Sequence, residues 1–205
     1  ISAACVDDQI LSTAGPDLFH PLLQRLSGTR DQPAFWFVDA NLPEGVLKLA
    51  AELAPRGHLF ADCVSVAKAS RLREIASHIE LLFGNRAEAA ALTGSPPDTP
   101  SKDLANRLGK SGFSKAILTD GLRPTLIMDG KDLTAITPLP AAVRDVTGAG
   151  DAIIAGTLAG LARGRPLIDA ARCGLEAARL TVQTTGAVPH NIDFAAISTT
   201  AAELR

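Results

Sequence analysis

Short apolar runs alternate with stretches of helical spacing along most of this 205-residue chain, and that alternation restricts the fold more than any other feature. Ala34–Asp39 (AFWFVD), Leu59–Val66, Ile79–Phe83 (IELLF) and Lys115–Thr119 (KAILT) read as buried strands. Pro43–Leu53 places Val46, Leu47, Leu49, Ala50 and Leu53 at helix spacing, with Pro43 in the first turn. Ser70–Ser77 predicts a short helix capped by Ser70, Arg86–Leu92 a helix stopped at Gly94, and Ser101–Lys110 a helix with Leu104 and Leu108 on one face. Thr125–Met128 and Leu133–Ile136 flank Asp129-Gly130-Lys131-Asp132 as a hairpin. Ala149–Ala162 and Pro166–Thr184 are two long, Ala-rich helices. The expected fold class is therefore α/β, a doubly wound, mostly parallel sheet with helices on both faces and an antiparallel edge. Such sheets bind ligands beyond the carboxyl ends of their strands. The places to look are just after Asp39, Val66, Phe83 and Thr119, and at the start of the Ala149 helix.

Composition removes several function classes. Lys+Arg 20 against Asp+Glu 22 leaves no basic surplus for nucleic-acid binding. The uncharged run Ala152–Ala162 is far short of the ~20 residues that a membrane span needs. No basic and apolar secretory leader stands at the N-terminus. Cys5, Cys63 and Cys173 are widely spaced and form no CxxC pair, so they read as core fillers of a cytoplasmic protein rather than zinc ligands or disulfides. His20, His58, His78 and His190 show no metal-ligand spacing. Trp36, between Phe35 and Phe37, reads as strand core.

The sharpest local feature is Asp145-Val146-Thr147-Gly148-Ala149-Gly150-Asp151, which runs into a helix that is apolar or small all round. Such a helix is expected to be buried, with Asp151 as a lone carboxylate in its first turn. Small residues before it leave backbone N–H groups unobstructed, and the helix dipole adds to them, which makes an anion site. Two readings of Asp151 stand. It complements the dipole, or it takes a proton from a hydroxyl that attacks a phosphoryl group while the amides hold the developing charge. The third Gly of a dinucleotide fingerprint is replaced by Ile153, and no GxxxxGK[ST] is present, so neither an NAD-binding turn nor a P-loop is indicated.

The Asp145–Asp151 segment resembles the C-terminal D-T-x-G-A-G-D signature of the ribokinase-like (PfkB) carbohydrate kinases, with Val146 in place of the usual Thr. By that resemblance Asp151 is the catalytic base. Gly148, Ala149 and Gly150 form the anion hole, and Asp145 with Thr147 holds a monovalent cation such as K+. Asn85-Arg86-Ala87-Glu88 is similar to the family's N-x-x-E element, which implies Asn85 near the ATP phosphates and Glu88 near Mg2+ through water. The same four residues also suit a helix N-cap with a capping-box Glu. Thr119-Asp120-Gly121 resembles the start of the nucleotide loop, with Pro124 where a second Gly is usual. Thr184–Val188 resembles the late loop beside the adenine and cation sites, with Gly186 as the candidate. Within the family, Asp39–Glu44 and Val64–Ala69 look most like pseudouridine kinases, and Lys68 reads as a solvated helix-start residue or one near phosphate.

The resemblance implies ATP and Mg2+ as cofactors, a small-molecule sugar or nucleoside as partner, no nucleic acid or membrane, and room for a homodimer, since family members often pair through a lid. Residues 1–12 are expected to be a remnant of a lid strand and residues 13–205 the nucleotide- and phosphate-binding α/β domain. Family members usually carry about a hundred more residues at the N-terminus, so the lid, the first strands and most sugar contacts are expected to be missing here. The sheet edge is then expected to be apolar and exposed. The alternative function is a catalytically inactive nucleotide-binding module derived from such a kinase.

Overall fold

A computed structural model describes residues 9–27, 35–189 and 192–202. The chain divides into two compact units, residues 1–116 and 117–205. The strands are β1 (Trp36–Asp39), β2 (Leu59–Asp62), β3 (Ile79–Asn85), β4 (Lys115–Asp120), β5 (Arg123–Asp129) and β6 (Asp132–Ile136). They form a six-stranded sheet in chain order. It is parallel through β1, β2 and β3 and ends in the β5–β6 hairpin, which is antiparallel with Asp129 opposite Asp132. This is the expected α/β architecture.

In the first unit, burial alternates along β1. Trp36 and Val38 are buried, whereas Phe35 and Phe37 are 37% and 41% exposed. The aromatic triplet is thus split by the pleat, and only Trp36 is the core residue expected of it. Phe35 lies 4.8 Å from the Phe60 ring and Phe37 6.4 Å from the Phe83 ring, centroid to centroid, so the half-exposed aromatics share one face with buried ones. β1 is the edge strand, and an apolar, partly exposed edge was the expectation. The crossover helices are α3 (Glu44–Leu53), a 3-10 helix (Ala69–His78), α4 (Arg86–Thr93) and α5 (Ser101–Lys110), and neighbours in that series pack on one another. Gly94 closes α4 with φ 65, the left-handed geometry that glycine allows without strain.

Several boundaries differ from expectation for identifiable reasons. β2 stops at Asp62 rather than Val66, because Val64 turns the chain with φ 61. The next helix is 3-10 and begins before Ser70, whose side chain caps nothing. The Ser65 carbonyl already accepts from the Lys68 and Ala69 amides at 3.1 and 2.9 Å. Gln9–Ser12, expected at the end of a returning strand, form one helical turn (α1), followed by α2 (Pro16–Ser27). The remainder of the supposed lid strand, with Cys5, lies outside the described residues. Cys63 and Cys173 are buried free thiols, as core fillers should be.

The second unit is built on α6 (Ala149–Leu161) and α7 (Leu167–Val182). α6 is not buried all round. Asp151 and Ala155 are exposed, and only Gly156, Thr157 and Gly160 are fully covered. The small residues serve close approach to α7. A Cβ on Gly156 would stand 2.8 Å from the Cys173 carbonyl oxygen, and one on Gly160 2.9 Å from the Ala170 Cα. An apolar stripe of small residues is thus a helix–helix seam on one side and an open face on the other. A further helix, α8 (Phe194–Ala201), escaped the sequence reading. Asp193 caps it, and the Arg163 guanidinium lies 4.0 Å from the Phe194 ring centroid. Among the described residues no helix is long and apolar enough to cross a membrane.

Candidate functional site

The first unit carries two polar groupings at the carboxyl ends of its parallel strands. At the end of β3, Asn85 Oδ1 accepts the Glu88 amide and Glu88 Oε2 accepts the Asn85 amide, both at 2.9 Å. This is the reciprocal capping box that the residue spacing allowed. Glu88 is 8% exposed, and Gly84 leaves room for it beside Cys63. Burial, with the nearby Glu88 and Asp62 carboxylates, pushes the Cys63 thiol well above its ordinary pKa, so this cysteine is inert packing.

At the ends of β1 and β2, Asp39 and Asp62 are register partners. Asp39 Oδ1 accepts the Asn41 amide at 2.9 Å, and Asn41 Oδ1 accepts the Lys68 ammonium at 2.7 Å. Arg71 donates to the carbonyls of Ala40 and Asn41 at 3.0 and 3.1 Å. Lys68 is therefore held by a side chain 27 residues away and is not a plain solvated helix-start residue. Beside it the Ser65 amide donates to the Cys63 carbonyl at 2.6 Å, closing a three-residue turn around Val64. A β-branched residue at positive φ costs about 1–3 kcal/mol and persists only where its surroundings hold it.

The second unit carries the Asp145–Asp151 segment. Asp145 is a bridge: Oδ1 accepts the Thr147 amide at 2.9 Å and Oδ2 the Gly186 amide at 3.3 Å. Those two amides and the Thr147 hydroxyl lower its pKa below the usual carboxylate value. The predicted cation residues Asp145 and Thr147 are thereby brought together with Gly186, the candidate from the late loop. Gly148 has φ 80, and a Cβ there would stand 2.4 Å from the Ala187 carbonyl oxygen. Glycine is required at that position both by conformation and by the close passage of the late loop.

α6 then starts at Ala149. The Ala149 amide donates to the Val146 carbonyl at 3.2 Å, and the first α-helical bond runs from Ala152 to Gly148. The Gly150 and Asp151 amides donate to no other described backbone group. The Gly148 amide is likewise unclaimed, so of the predicted Gly148, Ala149 and Gly150 only the Ala149 amide is consumed by the turn, and the Asp151 amide joins the open donors. The Asp151 amide was missed because a sequence does not show which amide a turn consumes. Gly150 and Asp151 are both exposed.

Next to this helix start lies a cavity of about 510 Å³, lined largely by apolar groups that include Leu139, Val146 and Val182. Thr119, Gly121, Ala149 and Gly150 all line it, so two motifs 28 residues apart in the chain meet there. Gly121 turns from β4 into β5 with φ 62, and the Arg123–Asp120 ion pair braces the turn. The size and apolar lining are those of a small-molecule site. Pro124, where the resemblance expects glycine, is exposed at the start of β5. Among the described residues no group of three or more His, Cys, Asp or Glu side chains could hold a metal. Mg2+ on nucleotide phosphates needs no such cage, since it keeps several waters and takes one or two carboxylates.

The family model for pfkB carbohydrate kinases matches residues 8–193. The chain belongs to the pfkB carbohydrate kinase family. It is 39% identical over 117 residues to a cytidine kinase of Thermococcus kodakarensis, which covers 56% of this chain and 41% of that protein. It is 27% identical over 158 residues to a 1-phosphofructokinase of Haloferax volcanii, covering 76% of this chain and 52% of that one. A carbohydrate kinase structure from Agrobacterium tumefaciens superposes with a TM-score of 0.79 at 31% identity, over 98% of this chain and 64% of that one. The pfkB chain thus spans about half the length of the curated relatives it matches. Neither curated relative is a pseudouridine kinase, so that finer resemblance gains no support from them.

Proposed function

We propose that this pfkB chain carries the phosphoryl-transfer machinery of an ATP-dependent kinase acting on a hydroxyl of a sugar or nucleoside. Asp151 is the general base. Its carboxylate takes the proton of the acceptor hydroxyl as that oxygen bonds to the γ-phosphorus. The bond from γ-phosphorus to the bridging oxygen breaks, and ADP leaves with the electron pair. The Gly148, Gly150 and Asp151 amides hold the negative charge that gathers on the transferring group. The single observation that carries this reading is the exposed Asp151 at a helix start whose Gly148, Gly150 and Asp151 amides are unclaimed, directly after Gly150, which lines a cavity with Thr119, Gly121 and Ala149.

The cavity would take the adenosine part of ATP. When bound, Mg2+ supplies charge neutralisation at the phosphate oxygens. The family resemblance assigns Glu88 a water-mediated contact to it, and the Asn85 amide fixes that side chain's orientation. Asp145 and Thr147, anchored by the Gly186 amide, are the candidates for a monovalent-cation loop. Pseudouridine belongs among the acceptors because of Asp39–Glu44 and Val64–Ala69, and cytidine and adenosine because relatives carry those names.

A second reading, nucleotide binding without transfer, is favoured by Pro124 in the nucleotide loop. A coupled ADP-release assay with pseudouridine, cytidine, adenosine, ribose and fructose separates the two, with ATP binding followed by calorimetry. On the kinase reading Asp151→Asn loses about 10²–10⁴ in turnover and keeps its ATP affinity. Undiminished turnover in that variant refutes the base. Retained ATP binding with no turnover on any acceptor supports the module.

A further inference from the structure

The polar grouping at the ends of β1 and β2 is not used by the transfer chemistry above. We propose that Asn41 and Lys68 form a recognition site for the hydroxyl groups of a neutral acceptor, a nucleoside or an unphosphorylated sugar. The proposal deepens the kinase reading, and rests on it for the acceptor's fate.

Four observations support the assignment. The grouping sits past the carboxyl ends of adjacent parallel strands, where α/β sheets bind ligands. Its cation is ordered: the Lys68 ammonium is 2.7 Å from Asn41 Oδ1, and Asn41 is itself fixed by Asp39 Oδ1 on its amide and by Arg71 on its carbonyl. A lysine so restrained has given up rotamer freedom that a solvated lysine keeps. The donor and acceptor mix suits hydroxyls. Asp39 and Asp62 only accept, the ammonium only donates, and a hydroxyl does both. A phosphate only accepts, and two carboxylates in register would repel it. Finally, the strained turn at Val64 lies between Asp62 and Lys68, and Val66 beside it is 55% exposed, an apolar surface for the carbon face of a sugar or base.

The test measures binding separately from transfer. Calorimetry is run on the whole chain with cytidine, adenosine, pseudouridine, ribose and fructose 1-phosphate, and in parallel with a non-hydrolysable ATP analogue. At least one neutral acceptor binds the wild type, and Lys68→Met weakens it about ten- to a hundred-fold, as loss of a charged hydrogen bond should. Lys68→Arg recovers most of that loss, and affinity for the ATP analogue stays within about two-fold throughout. Should Lys68→Met fail to fold, Asn41→Ala decides. It keeps the cation, releases its tether, and weakens the acceptor about three- to ten-fold. The proposal is overturned if Lys68→Met binds the acceptor as the wild type does. It is equally overturned if no neutral acceptor binds the wild type, or if fructose 1-phosphate binds more tightly than all of them. The two readings fail differently. Lys68-dependent binding without transfer sinks the kinase reading alone, whereas transfer indifferent to Lys68 sinks this one alone.

Discussion

In the first unit the Asn85–Glu88 pair is closed on itself, each residue's amide satisfied by the other's side chain, with Glu88 nearly buried. In the second unit the Gly150 and Asp151 amides and the Asp151 carboxylate face outward. The family resemblance gives both motifs to one reaction, yet their physics differs. A closed pair stabilises the fold whether or not a ligand comes. An open helix start has no such return, and becomes useful only when an anion arrives. The same kind of substitution should therefore read out as stability in one unit and as chemistry in the other.

The largest effect should come from Gly148→Ala, because it attacks the frame of the open site. Its Cβ would stand 2.4 Å from the Ala187 carbonyl oxygen at a φ of 80. We expect at least about 2 kcal/mol of destabilisation by denaturant unfolding, together with loss of nucleotide binding. A variant with wild-type stability would show that the late loop does not need to pass so closely. Next comes the closed pair. Glu88→Ala should cost about 1–2 kcal/mol by removing half of the capping box and leaving the Asn85 amide without its partner. Glu88→Gln keeps an oxygen for that amide and should stay within about 0.5 kcal/mol of the wild type. If Glu88→Gln also transfers phosphate normally, Glu88 is a cap alone. If its turnover falls while stability holds, the carboxylate charge has a second use.

The comparison also shows what the amino-acid order made legible. The edges of α4 were readable because Asn85, Glu88 and Gly94 each do local work that backbone geometry demands. The Asp145–Gly150 turn was readable because only glycine tolerates what Gly148 must do. Three features were not. α6 looks wholly buried in sequence, because glycines packed on a neighbouring helix and small residues facing solvent have the same hydropathy. The donor set at its start loses Ala149 and gains Asp151, because the Val146 carbonyl consumes the Ala149 amide. Val64 at positive φ has no local signature at all, since valine is a residue least expected there.

Acid titration sharpens the open side. Asp145 has its pKa lowered by the Thr147 and Gly186 amides. A carboxyl group depressed in the folded state contributes stability above its unfolded pKa of about 3.9, and that contribution is lost as pH falls through the lower folded value. Asp145→Asn should therefore melt below the wild type at neutral pH, with a gap that stays flat down to about pH 4 and closes under it. A gap that persists at the lowest pH would mean that packing, not charge, ties Asp145 to the Gly186 loop.

The smallest effect tests whether the strain at Val64 is structural or functional. Positive φ at valine costs about 1–3 kcal/mol, and glycine removes that cost while adding about 0.5–1 kcal/mol of backbone entropy. The net is a change between roughly zero and 2.5 kcal/mol in favour of Val64→Gly, measured by denaturant midpoint. If the turn exists only to reverse the chain, the stabilised variant should bind acceptor and nucleotide as the wild type does. If it exists to hold Lys68 against Asn41, the more mobile glycine should loosen that tether, and acceptor affinity should fall while nucleotide affinity stays. Gain of stability with loss of acceptor binding would place strain in the first unit where the second keeps open amides: each is a local cost that only a ligand repays.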